Sequence, residues 1–383
     1  MPEVRRPSII VAAGDAGGAA AVLPVIQALS ASGRYEVQTV AYAQAATLFA
    51  KRRVPFLALQ ETLSRADAGA WLLERRADLL LCGTSINALE LEKRLIDGAN
   101  DRDIPSLAVL DYWSNYAARF SRHNGDLAHL PCRIAVMDER ARAEMIGEGF
   151  EPERLVVTGQ PAFDDLAASR ARFDKVRHRE FRESREIGPN QLLVTFFSQP
   201  LSQGFRRRED GGAPGDLGYD ETTILPQLVK ALEEIAGRRE CRLVLAIRPH
   251  PREPDASYRS LSSLNRSLRI LVSTEGESRD WAMASDLVTG MTTMLLVEAC
   301  YLGCLVVSLQ ASLKCSDVLP TNRLGLSHAV YREDDVPDAI ERMLFDDEVR
   351  RAFRSRLEGL HRDEGATRRV VALIDRMLGS SID

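Results

Sequence analysis

Residues 285–308 read SDLVTGMTTMLLVEACYLGCLVVS. Asp286–Val288 is a short apolar strand, and the polar turn after it leads into an apolar helix over Met294–Leu302. Gly303 stops that helix, and Leu305–Ser308 forms a second apolar strand. Strands apolar on both faces and separated by one helix specify parallel neighbours in a covered sheet. Gly290, Thr292 and Thr293 stand where the helix begins. Unpaired backbone N–H groups and the positive end of the helix dipole favour an anion there, typically a phosphate. Glu298 is the only charge on the helix.

Upstream, Leu243–Arg252 is an apolar strand ending in Arg248-Pro249-His250-Pro251-Arg252. Cations and an imidazole at the C-terminal end of a parallel strand lie on the edge where open α/β sheets bind ligands. The two segments together point to a phosphorylated ligand, with a nucleotide as first choice.

The same strand–helix rhythm runs outward in both directions. Ser8–Ala13, Val37–Ala43, Val54–Leu59, Asp78–Cys82, Ser106–Leu110, Arg133–Val136 and Val156–Thr158 read as strands, with helical segments between them. The helix after Cys82 is expected to follow directly on Gly83-Thr84-Ser85 and run through Leu95. Leu192–Phe197, Leu243–Ile247 and Arg269–Val272 begin a second series, which Asp286–Val288 and Leu305–Ser308 complete. Strands separated by ten to fifteen helical residues specify parallel sheets. The expected organisation is a Rossmann-like domain over 1–170, a charged linker over 171–190 and a second Rossmann-like domain over 191–362. A closing helix within 363–383 can pack back on the first domain. Gln203–Gly218, with Arg206-Arg207-Arg208, is rich in Gly, Asp and Arg and reads as a loop.

The 383 residues suit two α/β domains better than one core. An apolar share of 45% and a charged share of 27% are those of a water-soluble globular chain. A net charge of −5 gives no reason to expect nucleic acid or an anionic membrane as partner. Six cysteines without CxxC spacing indicate neither a zinc site nor a disulfide framework, and a reducing cytoplasm is the expected compartment. The N-terminal apolar run meets Gly14 and Asp15 too early for a signal peptide or anchor. A homodimer is the base-rate expectation only.

Three segments resemble the GT-B superfamily, whose members include nucleotide-sugar glycosyltransferases, polyol-phosphate transferases and UDP-sugar 2-epimerases. Val11-Ala12-Ala13-Gly14-Asp15-Ala16-Gly17-Gly18, leading to Leu23–Leu29, looks like the glycine-rich first loop and helix. Arg248–Pro251 is similar to the His-Pro strand end, and Ser285–Ser308 to the strand, Ser/Thr loop, helix and glycine that hold a donor diphosphate. The resemblance implies an α/β fold of two Rossmann-like domains whose parallel sheets face across a cleft. It further implies that Thr292 and Thr293 cradle the donor phosphates, that Arg248 and His250 neutralise the leaving diphosphate and that Glu298 receives the ribose; Gly290, Ser198 and Gln199 complete the expected donor site by their positions at a helix start and a strand end. The acid that usually follows seven residues after Glu298 falls at Leu305, so a Glu pair is missing. A metal-independent, inverting sugar transfer is the expected chemistry, with no cofactor beyond the nucleotide-sugar co-substrate.

Two acids compete for the role of base toward an acceptor hydroxyl. Asp15 sits in the glycine-rich loop with Gly14, Gly17 and Gly18, and it can equally serve as a plain helix N-cap. Asp111 opens Asp111-Tyr112-Trp113-Ser114-Asn115-Tyr116, with Arg119 beyond, directly after a buried strand. Tyr112, Trp113, Asn115 and Arg119 suit an acceptor sugar, whereas Trp113, Tyr116 and Phe120 also fit core positions of a helix. Gly83-Thr84-Ser85 can bind an anion or cap a helix, and Ser198-Gln199 can touch a phosphate or cap. Two other functions stay open: a nucleotide-sugar 2-epimerase or hydrolase drawing on Asp15, Asp111, Glu139 and His250, and a non-catalytic binding scaffold.

Overall fold

The computed structural model describes residues 5–59, 63–86, 89–123, 125–202, 217–250, 253, 258, 267–362 and 365–379. Arg206-Arg207-Arg208, Pro251 and Arg252 lie outside them, as does the loop from Gln203 up to residue 216. The chain divides into two compact units, Met1–Asp164 with Asp363–Asp383, and Asp165–Arg362.

The first unit is built on seven strands: β1 Ser8–Ala13, β2 Glu36–Ala41, β3 Leu57–Ala58, β4 Leu79–Cys82, β5 Ser106–Val109, β6 Arg133–Val136 and β7 Leu155–Val157. Their order is β3-β2-β1-β4-β5-β6-β7, and every pair is parallel. The alternation of side chains along β1 sorts them onto two faces. Ile9, Val11 and Ala13 join a core with the helix Ala16–Ser32 and with Val370, Leu373 and Ile374 of the helix Ala366–Met377. Ile10 and Ala12 join a second core with Leu72, Leu91 and Leu95 on the other side. Both faces are covered, which is why β1 and β4 read as continuous apolar runs. Asp164 holds the helix Ala366–Met377 at its start, accepting the N–H groups of Gly365, Ala366 and Thr367 at 3.1, 2.9 and 2.7 Å.

The second unit has six parallel strands: β8 Gln191–Phe197, β9 Arg242–Arg248, β10 Leu268–Val272, β11 Leu287–Gly290, β12 Val306–Leu309 and β13 His328–Val330. Their order is β10-β9-β8-β11-β12-β13. In each unit the first strand lies between the second and the fourth, so the winding reverses there and leaves a crevice at the strands' carboxyl ends. Register makes those crevices level. Ala12 pairs with Cys82 across β1 and β4, and Phe197 pairs with Gly290 across β8 and β11.

Several elements differ from the sequence reading. The charged stretch over 171–190, read as a linker following a surface helix, carries the end of the helix Asp164–Arg172 and a further helix, Lys175–Glu183, and belongs to the second unit. Its hold on the second unit comes from few residues. Phe181 packs edge-on to Trp281 at 5.1 Å, and buried Arg182 donates to the carbonyls of Ala284 and Gln191 and to Asp286. One aromatic and one arginine do not register as an apolar face. The helix after β4 starts at Leu91, not beside Ser85, and the strand expected over Val54–Leu59 is reduced to Leu57–Ala58. Strand β13 has three residues, too short to show a period in the sequence.

Candidate functional site

In the second unit, Ser198 and Gln199 leave β8 at the level where Met291 and Thr292 leave β11. Gly290 permits this approach, because a Cβ there would lie 2.9 Å from the Phe197 carbonyl oxygen. The Thr292 N–H donates to Gln199 Oε1 at 2.8 Å, and the Thr292 hydroxyl reaches the same oxygen at 3.4 Å. Thr293 is the N-cap of the helix Met294–Tyr301, with its hydroxyl oxygen 3.4 Å from the Leu295 N–H. Ser198, Gln199, Gly290, Thr292 and Thr293 therefore meet at one switch point.

His250 is reached through an acid that the sequence reading passed over. Buried Glu253 accepts the His250 N–H at 2.5 Å, the Ser198 hydroxyl at 3.0 Å and the Tyr258 hydroxyl at 2.7 Å. That carboxylate fixes the backbone at His250 relative to the end of β8. On the other flank, buried Gln310 donates to Ser308 Oγ at 2.9 Å and to Asp317 at 3.0 Å, and accepts from the Tyr219 hydroxyl at 3.2 Å. Asp317 also accepts from Asn322 and Tyr331, each at 2.7 Å. The bonds of Glu253 to Ser198 and of Gln310 to Tyr219 span 55 and 91 residues, and local spacing does not mark these.

Arg248 is a correction. Its guanidinium donates to the carbonyls of Ser273 at 2.7 Å, Glu275 at 2.6 Å and Gly276 at 2.8 Å, and it lies over Trp281. Burial, with Arg185 nearby, lowers its pKa to about 10. Arg248 thus pins the segment after β10 and is not directed at a ligand phosphate. Glu298 is half-buried and bonded to Arg279 Nε at 2.9 Å, and Arg279 in turn reaches Asp165 at 3.1 Å. The charge beside Glu298 is Arg279, which the sequence reading missed.

The first unit repeats the geometry at β1 and β4. Gly18 sits against the next loop, and a Cβ there would lie 2.6 Å from the Thr84 carbonyl oxygen. A Cβ on Gly14 would run into the Tyr42 ring, and one on Gly17 into the Asp111 carboxylate. Packing against backbone thus requires Gly18, whereas at Gly14 and Gly17 the end of a side chain would have to move. Asp15 takes the N-cap position of Ala16–Ser32, but its side chain makes no cap bond; Oδ2 instead accepts the Ile86 N–H at 3.0 Å. Beneath it lies Glu92, buried, which accepts the Gly14 N–H at 2.8 Å, the Ser85 hydroxyl at 2.9 Å and the Tyr42 hydroxyl. Burial raises the Glu92 carboxyl above its ordinary 4.5, the Tyr42 and Ser85 hydroxyls pull it back in part, and the nearby Asp15 charge adds to the rise. Glu92 falls on the buried side of the helix Leu91–Asn100, where a charge pattern alone reads as a solvated face.

Asp111 is committed elsewhere. Its Oδ1 accepts from Arg119 at 2.5 Å and from the Thr84 hydroxyl at 2.7 Å, and Arg119 also reaches Thr84 at 3.0 Å. All three are buried. Trp113 is 2% exposed, stacks on Phe163 at 6.2 Å and donates its indole N–H to Asp138 at 2.7 Å. Tyr116 and Phe120 are equally buried. Trp113 therefore belongs to the core, the plainer of its two readings, and Arg119, expected at an acceptor, is buried against Asp111, while half-buried Tyr112 and exposed Asn115 stay at the surface of this loop. Among the described residues, no group of three His, Cys, Asp or Glu side chains is placed to hold a metal ion. No described helix is long and apolar enough to cross a membrane.

No family model and no curated protein matches the chain. Solved structures do. A Staphylococcus aureus MnaA–UDP co-structure aligns at TM-score 0.70 and 16% identity, covering 98% of each chain. UDP-GlcNAc 2-epimerase from Neisseria meningitidis, bound to UDP-GlcNAc, aligns at TM-score 0.69 and 12% identity over 96% of this chain and 100% of that one. The glycotransferase of kitacinnamycin aligns at TM-score 0.59 and 17% identity over 98% and 100%. With two parallel sheets and near-complete alignment to these proteins, the chain has the GT-B fold.

Proposed function

We propose that the protein binds a nucleotide-activated sugar at the β8/β11 crevice of its second unit and transfers the sugar to an acceptor hydroxyl. The convergence of Gln199, Thr292 and Thr293 at the switch point supports this most strongly. A diphosphate there would take hydrogen bonds from the two threonines and the first amides of the helix Met294–Tyr301. His250, held through Glu253, would supply a donor to charge developing on the leaving oxygen. Glu298, oriented by Arg279, would accept from the ribose. UDP and UDP-GlcNAc, the ligands named with two of the structural neighbours, make uridine the first nucleotide to test.

The acceptor base we assign is Asp15. Asp111 is held by Arg119 and Thr84, and Glu92 by three donors, whereas Asp15 is half-buried at the outer end of the loop. One usable base suits displacement by a hydroxyl. Epimerisation at the sugar C2 is the second reading, and Glu92 favours it: a carboxyl with a raised pKa is a candidate for a second proton transfer. The neighbour bound to UDP-GlcNAc is itself a 2-epimerase.

Incubation with UDP-GlcNAc in heavy water separates the two. UDP release that depends on an added acceptor, without deuterium at C2, supports transfer; deuterium at C2 replaces it with epimerisation. Absence of UDP and UDP-GlcNAc binding by calorimetry would sink both for this donor.

A further inference from the structure

The helix Met294–Tyr301 begins at the switch point and ends beside a different cavity. That cavity has a volume of about 480 Å³, within the roughly 300–1,000 Å³ usual for small-molecule sites. Asp286 enters it just before β11 and Leu305 just before β12, so it lies at the amino ends of these strands, the edge opposite Gly290 and Ser198. Arg170, Lys175, Arg350 and Arg354 line it, with Asp174 and Asp286 as the acids.

Both acids are spent on the protein itself. Asp174 caps the helix Lys175–Glu183 by accepting the Arg177 N–H at 2.9 Å. Asp286 pairs with Arg182 at 3.1 Å and accepts the Leu193 N–H at 2.7 Å. Three of the cations, Lys175, Arg350 and Arg354, are less well matched. Nε of Arg350 is buried without a hydrogen-bond partner, although its Nη1 meets Asp347 at 3.4 Å. Among the described residues, neither Lys175 nor Arg354 forms an ion pair. The Arg170 guanidinium lies against Gly303, where a Cβ would come within 3.1 Å of it. A recess in which four cations outnumber two acids favours an anion. Guanidinium forks match phosphate oxygens in pairs.

We propose that this cavity binds a small phosphorylated anion at a site separate from the nucleotide crevice. Calorimetric titration of the full chain with inorganic pyrophosphate, alone and with saturating UDP, tests it. Binding should persist when UDP is present and should weaken at least tenfold in the Lys175→Ala, Arg354→Ala double variant. Both side chains are exposed, so the variant should melt like the parent. No binding, binding abolished by UDP, or unchanged affinity in the folded double variant would overturn the proposal. The comparison with the double variant reads the same way even where UDP itself does not bind, so failure of the nucleotide reading is told apart from failure of this one.

Discussion

Gln199 Oε1 accepts the Thr292 backbone N–H at 2.8 Å, tying the end of β8 to the turn that starts the helix Met294–Tyr301. This amide lies one residue before the N-cap Thr293, and here a neutral side chain satisfies it. A ligand phosphate that takes this N–H must displace the Gln199 carbonyl.

That relationship gives opposite expectations for two substitutions. Gln199→Glu places a carboxylate on the amide, holds it more firmly and repels a phosphate, so UDP affinity should fall at least tenfold, about 1.4 kcal/mol. Gln199→Ala leaves the amide accessible, and affinity should stay within threefold of the parent or improve. Calorimetry with UDP checks both. Equal affinity in all three proteins would remove Thr292 from the phosphate site.

Packing by itself is enough to require glycine at position 18. Its absent Cβ would lie 2.6 Å from one backbone atom of Thr84 and 2.9 Å from another, and neither can rotate away. Gly18→Ala should cost roughly 1–3 kcal/mol, as overpacked sites do. Gly147, the last residue of the helix Glu139–Gly147, has nothing within 4 Å of the point where a Cβ would stand. Gly147→Ala should be neutral or stabilise by up to about 1 kcal/mol. Urea denaturation of the two variants provides the comparison.

The alternating β and α signals carried most of the fold, because strands buried on both faces, such as β1 and β4, leave unbroken apolar runs. The switch-point residues were legible for the same reason: Ser198 and Thr292 each follow closely on such a run. Arg248 was misread because strand-end position says where a residue sits but not which way its guanidinium turns. Here it turns toward three carbonyls after β10. Glu92, Glu253 and Gln310 escaped for a different reason. Each is a polar side chain that joins near neighbours to at least one distant partner: 78 residues away for the Glu92–Gly14 bond, 55 for Glu253–Ser198 and 91 for Gln310–Tyr219. Local spacing carries no trace of the distant pairs.

Glu92 links stability to pH. Its carboxyl is raised by burial, so the folded chain holds this proton to higher pH than the unfolded chain does. The contribution is fully present below about 4.5 and is lost as pH rises through the raised value. Glu92→Gln keeps the shape and removes the ionisation. The melting temperature of this variant relative to the parent should therefore rise as pH increases from 4.5 toward neutrality. A constant difference across that range would mean that Glu92 ionises without cost where it lies.

The two candidate bases separate by what each removal does to the fold. Asp111 and Arg119 form a buried pair whose side chains are 13% and 8% exposed, at 2.5 Å. Asp111→Asn leaves a buried guanidinium without its counter-charge, and breaking such a pair costs roughly 3–5 kcal/mol. Asp15 accepts the Ile86 N–H, and the amide oxygen of Asn can accept it in its place. Asp15→Asn should stay within about 1 kcal/mol of the parent in urea denaturation. Under the transfer reading it should also keep UDP affinity while reducing turnover at least a hundredfold, the usual scale for a lost general base. Full turnover in folded Asp15→Asn would remove that residue from the mechanism. Because Asp111 is tied to Arg119 and Thr84, such a result would move the search for the base to Glu92, whose Glu92→Gln variant then has to lose activity without losing nucleotide affinity.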